Sequence, residues 1–254
     1  METTGYMKVY FDTVMNEMSD AMNLEGMDKD HRREIGESIL NTAFDKEGPR
    51  SARRANDKLT FISEKLFKPS SEIFANIEAL ENIAVYARSF PYRRQGISRV
   101  DYLKYHIENY LNEIYILKNR LIAFLNLVDR AYRKCDRRAE IKANLSPLYG
   151  TVHGALEGYV NVRGSHVHQN RYTDSDFDRL TTLNLLSMSG DDDASELFRN
   201  MFYESYRITR RKWTGKIKND LSSLETLLDL YYASLTRSLI KEGKIVYPSN
   251  VHWL

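Results

Sequence analysis

Cysteine, proline, glycine and long apolar runs are all scarce in this chain of 254 residues. The single cysteine, Cys135, excludes an internal disulfide and a zinc site built from several thiolates, and it favours a reducing compartment. With 12 glycines and five prolines the chain has few turn-forming residues, which argues for long helices. The longest apolar runs, at 83–87 and 121–125, have five residues, against about 20 for a membrane span. We therefore expect a cytoplasmic protein without membrane-spanning or secretory segments.

The sequence also lacks several motifs that carry common chemistries. It contains no Walker-type loop, no Gly-rich dinucleotide turn, no His-Glu-x-x-His pair and no Gly-x-Ser-x-Gly elbow. Of the six histidines, only His166 and His168 are close in sequence, and positions two apart on a helix point in different directions. We therefore expect no metal site and no cofactor.

Helical periodicity is the strongest positive signal. Ser98 with Asp101 three residues later resembles a capping box at the start of a long helix. Ser146 and Pro147 resemble an N-cap followed by proline at the first helical position, and none of the five prolines falls inside a predicted helix. Apolar residues at three- and four-residue spacings predict helices over 6–23, 33–44, 58–67, 71–88, 98–133, 146–162, 173–187 and 195–241.

These segments predict an all-α fold, a helical bundle with two long antiparallel helices, Ser98–Arg133 and Ser195–Lys241. No segment shows the two-residue periodicity of a strand. We divide the chain into an N-terminal helical extension packing on the bundle (1–95), the bundle itself (96–245) and a C-terminal tail (246–254).

Positive charge is concentrated in one part of the chain. The formal net charge is only +2, yet residues 88–142 hold 13 Lys and Arg against six Asp and Glu. Two interpretations remain open: a surface that binds a nucleic acid or another phosphate, or the solvated faces of long helices.

One stretch places an arginine and a histidine near the end of a predicted helix. In GYVNVRGSHVHQNRY, residues 158–172, Arg163 is followed after four residues by His168. This pattern resembles the HEPN superfamily, named for higher eukaryotes and prokaryotes nucleotide-binding. Its signature is an arginine, four to six residues and a histidine near a helix end in an all-α bundle. The resemblance extends over roughly 99–241.

The resemblance implies a metal-independent endoribonuclease in which two protomers bring both motifs into one cleft. A toxin or antiviral effector would be its biological form, RNA its substrate, and an antitoxin or another protein a further candidate partner. Arg163 and His168 would be the catalytic residues of the homodimer. The residues expected at the rim of the site, where they would bind substrate, are His166, Asn170, Arg171 and Tyr172.

These two residue types suit the reaction. Attack by the 2′-hydroxyl of RNA on its own phosphodiester requires a proton acceptor, a proton donor and a cation beside the phosphate. Histidine has an ordinary pKa near 6.5, so His168 would exchange the proton. The guanidinium of Arg163 would hold the phosphate at two points.

Other interpretations stay open. Gly164 stands where many active members of the superfamily carry a polar residue, which favours a non-catalytic module of the same fold that binds RNA, a nucleotide or a protein. In a plain helical interaction module, by contrast, Arg163 would pair with Glu108 or Glu113 and the motif would be accidental. We attribute to chance the similar spacing of Arg99 and His106.

Overall fold

The computed structural model describes residues 5–22, 57–91, 96–168, 174–189 and 192–248. Nearly all of them are helical, which confirms the all-α bundle. A π-helical turn, Ile62–Phe67, joins the second helix to the third. The elements are α1 Gly5–Met22, α2 Asp57–Phe61, α3 Lys68–Tyr86, α4 Arg99–Ala131, α5 Arg138–His168, α6 Ser175–Ser189, α7 Asp192–Leu239, β1 Ile240–Lys241 and β2 Lys244–Ile245. The helix predicted over 33–44 and the residues after 248 lie outside this description.

Side-chain caps mark two of the helix starts. The hydroxyl of Ser98 accepts a hydrogen bond of 3.0 Å from the backbone N–H of Asp101, which confirms the predicted cap of α4. The carboxylate of Asp174 accepts bonds of 3.0 Å from the N–H groups of Asp176 and Phe177 at the start of α6. Both caps satisfy donors that have no partner within their own helix.

The prediction that proline always lies outside the helices is wrong at two positions. Pro147 lies inside α5, which begins at Arg138 rather than at Ser146, and Pro69 is the second residue of α3. Proline removes one hydrogen bond and crowds the preceding turn, at a cost of about 3 kcal/mol in a helix interior. Burial of Ile141 and Leu145 in the turns before Pro147 opposes that cost.

A short hairpin follows the longest helix, where the sequence shows no strand periodicity. Ile240 pairs with Ile245 and Lys241 with Lys244 in antiparallel register. The two residues between the strands, Glu242 and Gly243, both have positive φ angles, 53° and 75°. That backbone is the one tight hairpin turns require, and glycine adopts it without strain.

The described chain divides into two compact units. Unit 1 contains the described residues within 73–121 and 151–227, and unit 2 those within 2–72, 122–150 and 228–254. The division reflects spatial packing, so the sequence boundaries at 95 and 245 stay predictions.

Within unit 1, α4 and α7 run in the same direction, which corrects the expected antiparallel pair. Arg99, at the start of α4, lies against Tyr203 of α7. Further along both helices, the hydroxyl of Tyr110 donates a 2.6 Å hydrogen bond to Asp220. The antiparallel rule applies to helices joined by a short loop, whereas α5 and α6 intervene here.

The core of unit 2 is rich in aromatic side chains. Tyr10 of α1 lies with its ring centroid 5.2 Å from that of Tyr232 and 6.5 Å from that of Phe124. All three side chains are almost completely buried. Tyr132 donates a 2.7 Å hydrogen bond to the carbonyl of Val246, which ties the residues after β2 to the end of α4. Large buried rings of this kind contribute most of the apolar area that stabilises a core.

Candidate functional site

The motif residues lie at the carboxyl end of α5. Arg163 and His166 fall in its last two turns, and His168 is its final residue. Their side chains are outside the description, and so are the rim residues Asn170 and Arg171. The remaining predicted rim residue, Tyr172, also lies outside the described residues.

The register of α5 separates the two predicted catalytic positions. Residues on an α-helix are about 100° apart, so Arg163 and His168, five positions apart, lie about 140° apart around the axis. Arg163 and His166, three positions apart, lie on neighbouring parts of one face. Within one copy of the helix, Arg163 therefore shares a face with His166 rather than with His168.

One turn before Arg163, Tyr159 belongs to a polar network inside unit 1. Lys216 of α7 donates hydrogen bonds of 3.2 Å to the Tyr159 hydroxyl and 2.9 Å to Asp220. The ammonium also lies 4.6 Å from the centroid of the Tyr159 ring. The Tyr110 hydroxyl completes the network by donating to the same Asp220 oxygen. We call these four residues the Tyr159 network; it anchors α5 to α4 and α7 close to the predicted site.

The network favours the charged form of Lys216 and the protonated form of its two phenols. Burial alone would lower the pKa of Lys216, but hydrogen bonds with Asp220 and Tyr159 outweigh it and raise that pKa. Burial and the neighbouring carboxylate of Asp220 both raise the pKa of Tyr110. Burial is also the largest cause of the raised pKa of Tyr159. The network is therefore a fixed ammonium–carboxylate pair with two neutral phenols, suited to holding α5 in place.

One proposed ion-pair partner of Arg163 is already engaged. Asn76 of α3 donates hydrogen bonds to the backbone carbonyl of Glu113, at 3.2 Å, and to its carboxylate. Arg120 in turn donates a 3.1 Å bond to the Asn76 side chain. This arrangement gives Glu113 a role in joining α3 to α4.

A second constellation in unit 1 contains the arginine and histidine whose spacing we attribute to chance. The guanidinium carbon of Arg99 lies 5.2 Å from the ring centroid of Phe90. The Phe90 ring is 5.4 Å from that of Tyr102, which is 4.5 Å from the imidazole of His106. Arg99 and His106 are seven residues apart on α4, two helical turns, so they lie along one face. A chain of rings therefore connects them.

The imidazole of His106 is buried among tyrosines. Besides Tyr102, its centroid lies 5.4 Å from that of Tyr86 and 5.3 Å from that of Tyr105. Its Nδ1 atom is buried and makes no hydrogen bond to any residue the structure describes. Burial lowers the pKa of His106, which favours the neutral ring.

Helix α7 adds a basic segment that composition over 88–142 does not reveal. Residues 206–218 hold six Lys and Arg and no Asp or Glu. Lys212 binds Asp176 and Lys216 binds Asp220, whereas Arg210 lies with its guanidinium carbon 5.7 Å from the Tyr206 ring centroid. A count of Lys, Arg, Asp and Glu over the sequence of α7 alone would have revealed this basic segment.

The described residues give no indication of a metal centre or a membrane segment. Histidine, cysteine, aspartate and glutamate nowhere gather in groups of three that could hold a metal ion within the described ranges. No helix in the same ranges has the length and apolar character that crossing a membrane requires.

Unit 1 thus contains two candidate features, the Tyr159 network near the end of α5 and the aromatic chain from Arg99 to His106. Comparison with family models, with curated proteins and with solved structures finds no match to the chain.

Proposed function

We propose that the protein is a metal-independent endoribonuclease of HEPN type, a toxin or antiviral effector, with Arg163 and His168 at a composite site of a homodimer. The main observation in support is that both residues lie in the last two turns of α5. The Tyr159 network, one turn earlier, supports the proposal because it holds this end of α5 against two other helices.

Helical register favours a composite site over a site in one protomer. Since Arg163 and His168 lie about 140° apart around α5, one copy of the helix presents them on different sides. Two copies facing each other would bring the arginine of one beside the histidine of the other, as closed two-fold symmetry allows.

Exposed apolar side chains on α6 and α7 provide a surface for such pairing. Leu197, Met201 and Ile208 follow one side of α7 at spacings of four and seven residues, and each is about half exposed. Leu185 and Met188, near the end of α6, are exposed to a similar or greater extent. Apolar side chains exposed on successive turns of a helix are typical of an association surface.

The reaction assigns one role to each motif residue. His168 removes the proton of the RNA 2′-hydroxyl, whose oxygen attacks the adjacent phosphorus as the bond to the 5′-oxygen breaks. Arg163 holds the phosphate while negative charge develops on it. The protonated His168 returns that proton to the 5′-oxygen as it leaves, and the products are a 2′,3′-cyclic phosphate and a 5′-hydroxyl.

The test is incubation of pure protein with mixed RNA in excess chelator, with light scattering to measure the oligomer. We expect a dimer that cleaves RNA to cyclic phosphate ends, and His168→Ala or Arg163→Lys that loses at least 100-fold in rate while remaining folded. His166→Ala is the matched control and should lose less. Intact RNA with wild-type protein would contradict the ribonuclease, and a monomer would contradict the composite site.

A non-catalytic RNA-binding module is the second candidate. The aromatic and cationic residues around Arg99 favour it, because they supply binding chemistry whether or not Arg163 and His168 react. Binding of RNA without cleavage in the same assay would select this candidate.

A further inference from the structure

Two arginines in unit 1 share one tyrosine ring. The guanidinium carbon of Arg99 lies 5.8 Å from the ring centroid of Tyr206, and that of Arg210 lies 5.7 Å from the same centroid. Arg99 also lies 5.4 Å from the ring of Tyr203 and 5.2 Å from that of Phe90. We call these five residues the arginine–aromatic surface.

The positive charge of this surface is not neutralised within the described part of the chain. Neither Arg99 nor Arg210 makes an ion pair with a described carboxylate, whereas Lys212 and Lys216 of the same basic segment each bind an aspartate. Two cations held near one ring without a counter-charge repel each other, and a bound anion would relieve that repulsion. Guanidinium groups suit a phosphate because they donate two parallel hydrogen bonds.

The tyrosine that the two arginines share is buried. Tyr206 is only 3% exposed. Burial raises the pKa of Tyr206, while the charges of Arg210 and Arg99 and a hydrogen bond with Arg210 oppose that rise. The phenol therefore stays protonated as a donor between two cations.

Exposed rings lie beside the two arginines. Tyr203 is 48% exposed, and the chain of rings from Phe90 leads to Tyr86 and Tyr105, which are 47% and 59% exposed. Exposed aromatic faces bind unstacked bases, whereas the bases of a duplex are stacked on one another. Rings and guanidinium groups together are typical of surfaces for single-stranded nucleic acid.

We propose that the arginine–aromatic surface binds single-stranded RNA, with Arg99 and Arg210 on a phosphate and Tyr203 stacked on a neighbouring base. The choice of RNA rests on the proposed function, but the surface itself is independent of Arg163 and His168. Arg211, exposed on the same helix, extends the positive charge beyond Arg210, and Arg207, one turn before Arg211, is exposed but paired with Glu204.

The first experiment measures binding of a fluorescein-labelled 12-nucleotide RNA by anisotropy, in chelator and about 0.1 M salt. Each phosphate contact with a single strand contributes about 0.7 to the slope of log affinity against log salt. Because both arginines hold the same phosphate, Arg99→Gln/Arg210→Gln should reduce that slope by about 0.7 and weaken binding about fivefold. Arg133→Gln/Arg138→Gln, which removes the same charge from exposed positions of unit 2, should change the affinity less than about twofold.

Tyr203 provides a second test that leaves the charge unchanged. Tyr203→Ala should weaken RNA binding at least about fivefold, and Tyr203→Phe should retain wild-type affinity, because stacking requires the ring and not the hydroxyl. Thermal unfolding of each variant identifies any that has lost its fold. Equal affinity of all variants and the wild type would overturn the proposal.

Further outcomes distinguish single-stranded RNA from other ligands of this surface, and RNA binding from RNA cleavage. Tighter binding of a duplex than of the single strand, or displacement of the RNA by AMP at equal concentration, would overturn the single-strand assignment. Cleavage without loss of binding in Arg99→Gln/Arg210→Gln would overturn the surface and leave the ribonuclease standing. Binding that depends on these arginines, without cleavage, would support the surface and reject the ribonuclease.

Discussion

The two units differ in how some of their charged side chains are paired and in how many large apolar side chains they expose. In unit 2, Glu17 accepts a 2.8 Å hydrogen bond from Tyr247 and lies 3.1 Å from the ammonium of Lys58. In unit 1, Arg99 and Arg210 lie against aromatic rings and pair with no described carboxylate. Of the 15 large apolar side chains that are exposed in the described part of the chain, 11 belong to unit 1. Unit 1 therefore exposes more large apolar side chains than unit 2 does, and it holds two arginines against aromatic rings.

The largest effect we expect is on stability, from a change in the core of unit 2. Phe124 is buried against Tyr10 and Tyr231, so Phe124→Ala should lower the free energy of unfolding by about 3–5 kcal/mol. Urea unfolding measures this loss, and RNA affinity below the unfolding transition should not change. Val9→Ala, at an exposed position of the same unit, is the control and should cost less than about 0.5 kcal/mol.

A loss below about 1 kcal/mol for Phe124→Ala would show that the aromatic core of unit 2 contributes little to the free energy of unfolding. A selective loss of RNA affinity in the same variant would also contradict the comparison, because it would place RNA binding in unit 2.

An intermediate effect should appear in the pH dependence of stability, from unit 1. Burial lowers the pKa of His106 in the folded state below its unfolded value of about 6.5. The unfolded state therefore binds more protons, and stability is fully present above about pH 6.5 and is lost as the pH falls toward the folded pKa. Urea unfolding at pH 7.5, 6.5 and 5.5 should show this loss in the wild type.

His106→Gln should flatten that profile, because glutamine does not titrate. His153→Gln, at an exposed position of the same unit, is the control and should keep the wild-type profile. An unchanged pH dependence in His106→Gln would show that other groups control acid stability.

The smallest effect on stability should come from an exposed ion pair on α7. The carboxylate of Glu204 lies 2.7 Å from the guanidinium of Arg207, and both side chains are about half exposed. Glu204→Gln should change the free energy of unfolding by less than about 0.5 kcal/mol. It frees Arg207 for a phosphate, so RNA affinity should increase, up to about fivefold at 0.1 M salt.

Glu225→Gln removes the same charge about 30 Å further along α7, several Debye lengths away. This control should leave RNA affinity within about twofold of the wild type. Weaker binding in Glu204→Gln would remove Arg207 from the extended surface.

Local signals predicted the helices of this fold well. The cap at Ser98 and the apolar spacing after it predict a helix at 98–133, and α4 occupies Arg99–Ala131. Helix direction was harder to predict, since it depends on contacts such as Tyr110 with Asp220 that join residues 110 positions apart. Periodicity shows which face of a helix is buried and contains no information about the direction of the helix packed against it.

The candidate site was predicted only at the level of its motif. The Arg163 to His168 spacing is local and can be read from one sequence, and its catalytic role stays a prediction. The Tyr159 network and the stacking of Arg99 on Phe90 join separate helices, so they depend on the tertiary fold. For Arg99 and His106, chain spacing alone could not indicate the rings that lie between them.

Helix α5 begins at Arg138 but contains a second helix-start signal at Pro147. Ser146 and Pro147 form a local start signal, an N-cap and a fixed backbone angle that act in a short peptide as well as in the whole chain. The turns from Arg138 to Leu145 lack that signal, and their helical form depends on burying Ile141 and Leu145. During synthesis we therefore expect helix to form first from Ser146 onward and to extend backward to Arg138 only when unit 2 closes around those side chains. The helix that carries the motif would then acquire its full length late in folding.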